Sequence, residues 1–123
     1  MRIAFYAPLK SPRHPVPSGD RQMARLIVRA LEKAGHQVSL ASELRSFCAE
    51  PDAAHYAAIR RAAAAERSRI EALWAGHGRP DLFFAYHPYY KSPDWLGPPL
   101  AAAAGIPYVT AEASFSALRS TYA

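Results

Sequence analysis

The chain has 123 residues, the size of one domain, with half of them hydrophobic and a fifth charged, a globular composition that argues against a disordered tail. Its formal charge of +5 and isoelectric point near 9.7 point to anionic partners such as nucleic acid, lipid head groups or sugar nucleotides, although the arginines are scattered rather than massed in one block. No apolar run approaches the ~20 residues of a membrane span, and Met1 leads into a strand-like run instead of a signal peptide, so the expectation is a soluble, cytoplasmic domain.

Arg2 to Ala7 (RIAFYA) is apolar, rich in strand formers and closed by Pro8, which predicts a buried strand. Pro8 to Gly19 is a loop stiffened by Pro12, Pro15 and Pro17, each of which fixes its own φ and restricts the residue before it. From Asp20 to Ala34 the residues Met23, Ile27, Ala30, Leu31 and Ala34 recur at helical spacing and predict an amphipathic helix. Ser18 is its expected cap, Asp20 suits its positive end, Lys33 its negative end, and Gly35 can stop it. HQVSLAS then places Val38 and Leu40 on one face of a second strand. Strand, helix and strand with so short a return is the unit of a parallel sheet with a right-handed crossover.

Glu43 to Glu50 carries no clear pattern. Pro51 to Ala75 is alanine-rich with many Arg and Glu and predicts a long helix, stopped by Gly76 and Gly78. Its stripe Tyr56, Ile59, Ala63, Ile70, Leu73 and Trp74 faces a neighbour, interrupted by Glu66, with a solvated Arg/Glu back. Asp81 to Tyr86 is nearly continuous in apolar character, which suits a parallel strand covered on both faces. A second proline-rich loop leads to a short helix around Trp95 to Ala104, stopped by Gly105, and IPYVT is a fourth strand. The alternation predicts a three-layer, Rossmann-like open parallel sheet of about four strands, in which ligands bind beyond the carboxyl ends of the strands.

That rule selects three segments. Ser18-Gly19 stands at a helix start, where free N–H groups and the dipole favour a phosphate, and Gly19 lacks a Cβ that would keep a ligand off the backbone. The loop has neither three spaced glycines nor a Gly-Lys-Ser/Thr ending, so it matches no known phosphate fingerprint, and an ordinary loop-to-helix turn explains it as well as an anion site does. HPYYKSPDW gathers His87, Tyr89, Tyr90, Lys91, Asp94 and Trp95, groups that can stack on the C–H faces of a sugar and bond its hydroxyls, or equally anchor a surface loop by packing. Thr110 to Phe115 contributes Glu112, a carboxylate where a general base could stand, although an isolated Glu is more often a solvated or capping residue. His87 and Glu112 are the catalytic candidates. The histidines show no metal-ligand spacing and Cys48 is the only cysteine, so no metal, disulfide or other cofactor is expected.

These residues, in this order, resemble the amino-terminal domain of GT-B glycosyltransferases, most closely glycosyltransferase family 4. MRIAFYAP followed by PSGDRQMARLIVRALEKAGHQVSLAS is similar to the family's opening strand, glycine-bearing loop, first helix and AGH-x-V return. PDLFFAYHPYYKSPDWLGPPLAAAAGIPYVTAEAS is similar to its PD-x-apolar-H strand, the following helix and the GIP-apolar-V-T strand. Ser18-Gly19 stands where the family often has two adjacent glycines, and Glu112 where it often has a histidine. The resemblance implies the acceptor-side domain of a retaining, sugar-nucleotide-dependent enzyme that moves a hexose to a sugar or lipid-linked acceptor. Ser18 and Gly19 would then border the donor diphosphate, while His87, Tyr89, Tyr90, Lys91, Asp94 and Trp95 would face the acceptor.

By the same resemblance a carboxyl-terminal nucleotide-sugar domain would be missing, the 123 residues alone would be inactive, and an exposed sheet edge would favour a homodimer. The parent enzyme could sit peripherally at the inner membrane face. Two rivals are a flavodoxin-like or response-regulator-like binding module, which would want acidic residues at the end of the first strand, and a basic nucleic-acid-binding domain, which would want aromatics interleaved with its arginines. The sequence supplies neither feature.

Overall fold

The computed structural model describes residues 1–50 and 52–113. It shows a Rossmann-like α/β domain whose elements run β1 (Arg2–Tyr6), α1 (Gly19–Lys33), β2 (Gln37–Leu40), α2 (Ala53–His77), β3 (Leu82–Tyr86), α3 (Gly97–Ala104) and β4 (Tyr108–Ala111). All the pairings are parallel and the strand order is β2-β1-β3-β4. The chain therefore steps one way from β1 to β2, then crosses back to place β3 on the other side of β1. The crevice beyond the carboxyl ends of β1 and β3 is the switch point at which such sheets take ligands.

Pleating sends alternate residues of each strand to opposite faces. Phe5 and Ala7 pack with Ala24 of α1 and with Tyr86, and Val38 and Leu40 join them. Ala4, Tyr6, Phe83 and Ala85 pack instead with Ala63 and Ile70 of α2 and with Leu100 and Ala101 of α3. Three layers result, and a side chain such as Phe83, buried completely, contributes ~1.5–3 kcal/mol by leaving water.

Local signals set the helix limits. Ser18 Oγ accepts the N–H of Arg21 at 3.2 Å, and Asp52 caps α2 by accepting the N–H of His55 at 3.1 Å. Gly105 ends α3 in the left-handed region, φ 67°, a conformation that costs any residue with a Cβ.

Four expectations are corrected. The buried face of α1 is not the stripe Met23, Ile27, Ala30, Leu31 and Ala34. Met23 is 45% exposed, Ala24 is fully buried, and Ile27 and Val28 pack beside it. A methyl at position 24 lets the helix backbone lie close to Phe5, which the longer Met23 would prevent. On α2 the expected stripe holds at Ile59, Ala63 and Ile70, but Leu73 is exposed. Nor is the back of α2 merely solvated, because Arg67 Nη1 bonds the Trp95 carbonyl at 3.0 Å and Arg69 Nη2 bonds the Ala41 carbonyl at 2.9 Å.

Helix α3 begins at Gly97, two residues later than expected, where Asp94 Oδ1 takes the N–H groups of Leu96 and Gly97, and its first residue must be bare. A Cβ there would overlap the rings of Tyr108 and Phe83 and the Asp94 carboxylate, all closer than real Cβ atoms tolerate. Replacing Gly97 by Ala should therefore destabilise the domain by ~1–3 kcal/mol, the range for overpacking a tight core. Equilibrium unfolding in urea checks this, and an unchanged midpoint would show that the junction relaxes freely.

Candidate functional site

At the switch point the amino end of α1 meets the carboxyl end of β3. His87 Nδ1 lies 2.8 Å from Asp20 Oδ1, joining residues 67 positions apart. The imidazole is one-third exposed and the Asp20 side chain only 17% exposed. His87 follows β3 with φ 57°, and Glu112 follows β4 with φ 58°. Because Tyr86 is in register with Ala111, these two left-handed residues leave neighbouring strands at the same level, and the His87 N–H is bonded to the Ala111 carbonyl at 2.8 Å. Non-glycine residues pay about 1–2 kcal/mol for that conformation, and such strain concentrates at functional sites.

An aromatic shelf runs outward from His87. The Tyr89 ring stacks on the imidazole at 5.0 Å and 13°, Tyr90 meets Tyr89 edge-on at 5.5 Å, and Lys91 Nζ lies 5.8 Å from the Tyr90 ring centre. Tyr86 closes the inner side, its ring 5.8 Å from that of His87. Burial first, then the neighbouring Asp20 and Glu112 carboxylates, hold the Tyr86 phenol above its usual range. Burial likewise raises Tyr89, with Tyr90 and Asp20 adding to it and Arg45 opposing. Both phenols are therefore neutral donors at physiological pH.

Ser18 and Gly19 lie beside this cluster in sequence and space, immediately before Asp20. Ser18 Oγ is occupied by its capping bond, whereas a Cβ at Gly19 would meet nothing within 4 Å, so open space borders that backbone. His87, Tyr89, Tyr90, Lys91 and Glu112 thus gather where the strand ends predict. Ser114 and Phe115, the end of the third candidate segment, lie outside the described residues.

Asp94 and Trp95 do not join them. Asp94 Oδ1 accepts the N–H groups of Leu96 at 2.9 Å and Gly97 at 2.8 Å, and Oδ2 accepts the Tyr108 hydroxyl at 2.7 Å. Trp95 packs against the α2 and α3 side of the core, with the Arg60 guanidinium 5.1 Å from its ring centre. Both side chains build the loop rather than line the shelf.

The loop is also bolted to the segment after β2. Ser46 Oγ donates to the Pro93 carbonyl at 2.7 Å and lies 3.1 Å from Ser92 Oγ, and the Cys48 N–H bonds the Lys91 carbonyl at 2.7 Å. These bonds give the patternless stretch Glu43 to Glu50 its role. The residue that the sequence reading placed only as a helix-dipole complement is Asp20. An acidic first turn opening at a switch point was the available signal, and its pairing with His87 was not.

A groove of about 260 Å³ lies at the opposite, amino end of the strands. Its guanidinium, that of Arg2, is spent on the carbonyls of Gly78 and Arg79. Comparison with known proteins finds no family model, curated protein or solved structure that matches the chain.

Burial pushes the Asp94 carboxyl above its model-peptide value of 3.8, against the downward pull of its bonds from Gly97, Tyr108 and Leu96. The folded state therefore binds this proton more tightly than the unfolded one, and Asp94's contribution to stability is full below the unfolded value and falls as pH rises through the folded value. Asn can keep both backbone bonds through its Oδ1. Asp94→Asn should accordingly lack this decline, its stability relative to the parent improving as pH rises above ~4. Urea unfolding of both proteins from pH 3 upward, about one unit at a time, reads the difference, and parallel pH profiles would contradict it.

Proposed function

We propose that the chain is the acceptor-binding domain of a sugar-nucleotide-dependent glycosyltransferase, one that moves a hexose to a sugar or lipid-linked acceptor. The observation that carries this reading is the shelf of His87, Tyr89 and Tyr90 at the switch point, with Lys91 at its rim and open backbone at Gly19 beside it. Ring faces take the C–H faces of a pyranose, while phenol, imidazole and ammonium groups take its hydroxyls. The bonds that fix the loop to Ser46 and Cys48 support it further, because a pre-ordered shelf spends little affinity on immobilising itself. In this reading a second, nucleotide-sugar-binding domain brings the donor diphosphate to the Ser18-Gly19 side, since transfer requires both substrates in one water-poor cleft.

A phosphate-receiving module finds less support. The end of β1 offers Ala7 and Pro8 rather than clustered carboxylates. A nucleic-acid surface also finds less, because Arg2, Arg25, Arg45, Arg67 and Arg69 direct guanidinium groups to backbone carbonyls of the chain itself.

Oligosaccharides titrated into the ¹⁵N-labelled chain should shift the amides of Gly19, His87, Tyr89 and Tyr90. Tyr89→Ala should weaken that binding about tenfold, the worth of one stacked ring. Silence towards every carbohydrate, with shifts along Arg60 to Arg69 on adding DNA, would replace this reading with the nucleic-acid one.

A further inference from the structure

We infer that Asp20 is a positioning residue for His87, fixing the imidazole with Nδ1 protonated and Nε2 free to accept a hydrogen bond from an alcoholic hydroxyl of the acceptor. The residue is held at its backbone, by two neighbouring rings and at Nδ1. Its backbone N–H is bonded to Ala111, Tyr89 covers one face at 5.0 Å, Tyr86 meets it at 51°, and Nδ1 is 2.8 Å from Asp20 Oδ1. A carboxylate only accepts, so the shared proton belongs to Nδ1. A neutral imidazole protonated there is an acceptor at Nε2, and that atom has no partner among the described residues.

Asp20 is itself fixed. It stands in the first turn of α1, where the dipole favours a negative charge, and its Oδ2 is buried without a hydrogen-bond partner. The neighbouring Tyr86 phenol also interacts with this carboxylate, while the bond to Oδ1 at 2.8 Å is the imidazole's. The other titratable groups around His87 are Tyr86 on β3, Tyr89 in the loop with Tyr90 and Lys91 beyond it, and Glu112 after β4, with Arg45 facing Tyr89 from the segment after β2. Tyr86 and Tyr89 are kept as neutral phenols by burial, so the carboxylates of Asp20 and Glu112 are the only negative charges in this set. Asp20 alone of the two is bonded to the ring.

A carboxylate that selects the tautomer of a histidine, leaving the far nitrogen to meet a hydroxyl, is a recurrent catalytic device. The identity of that hydroxyl as a sugar's rests on the function proposed above, whereas the orientation of the ring does not. The structure thus separates a contact residue, His87, from the residue that aims it.

Long-range ¹H–¹⁵N spectra of the histidine-labelled chain, at a pH where the imidazole is neutral, read the tautomer directly. The wild type should show His87 protonated at Nδ1. Asp20→Asn and Asp20→Ala should move the population towards the Nε2-protonated form by about tenfold or more, the worth of a charge-assisted bond, with the amide spectrum otherwise unchanged. Should the alanine variant fail to fold, the near-isosteric asparagine variant decides. A wild-type His87 protonated at Nε2, or a tautomer indifferent to both substitutions, overturns the assignment. Adding an oligosaccharide then separates the two readings. Perturbation of Nε2 in the wild type but not in the variants supports the full proposal, and a correctly oriented His87 that no carbohydrate perturbs overturns the sugar-binding reading instead.

Discussion

The buried carboxylate of Asp94 holds the site's supporting wall in place. One oxygen receives the two N–H groups that open α3, and the other receives the Tyr108 hydroxyl from β4, so a single side chain joins a loop, a helix and a strand. Removing such an ion from water is expensive, and the three donors offset only part of that cost, so burial still holds the carboxyl above its ordinary value. Tyr108 responds to the same contact. Its phenol is driven far above the ordinary range, by burial first and then by the Asp94 charge. With Asp94 set, Gly97 must remain bare, and the loop from His87 onward can end in only one place.

The candidate site inherits that order. Ser46 and Cys48 fasten the loop from the other side, so His87, Tyr89 and Tyr90 stand on a braced segment. Topology adds the rest, since the crossover that puts β3 beside β1 also brings the carboxyl end of β3 to the amino end of α1. The pair Asp20–His87 and the two left-handed residues His87 and Glu112 all lie at that one junction. Preorganised donors and acceptors on a rigid frame are what recognition of a hydroxyl-rich ligand requires.

The sheet was legible from the chain because β1 and β3 are short apolar runs closed within two residues by proline and β2 follows α1 after a two-residue turn, and the helices because their composition and end signals mark them. What local pattern could not resolve was which side of α1 goes inward. Met23 and Ala24 both fit an apolar stripe, and only the depth available over Phe5 selects the smaller. HPYYKSPDW was legible as a cluster of polar aromatics and charges but not as two groups. Residues 87 to 91 form the shelf, while Asp94 and Trp95 turn into the fold, a division set by Tyr108 and α2, which lie elsewhere in the chain. Asp20 was missed for the same reason, because a carboxylate in a first turn is fully explained by its own helix until the distant His87 arrives beside it.

The central claim is that the aromatic shelf at the carboxyl end of the sheet is a carbohydrate surface, and saturation-transfer difference NMR tests it most directly. With the protein's aromatic protons irradiated and an oligosaccharide in excess, the account predicts transfer to the C–H protons of one pyranose face, abolished when Tyr89 is replaced by Ala while the fold remains intact. Transfer that survives that replacement, or none from any carbohydrate offered, would contradict it.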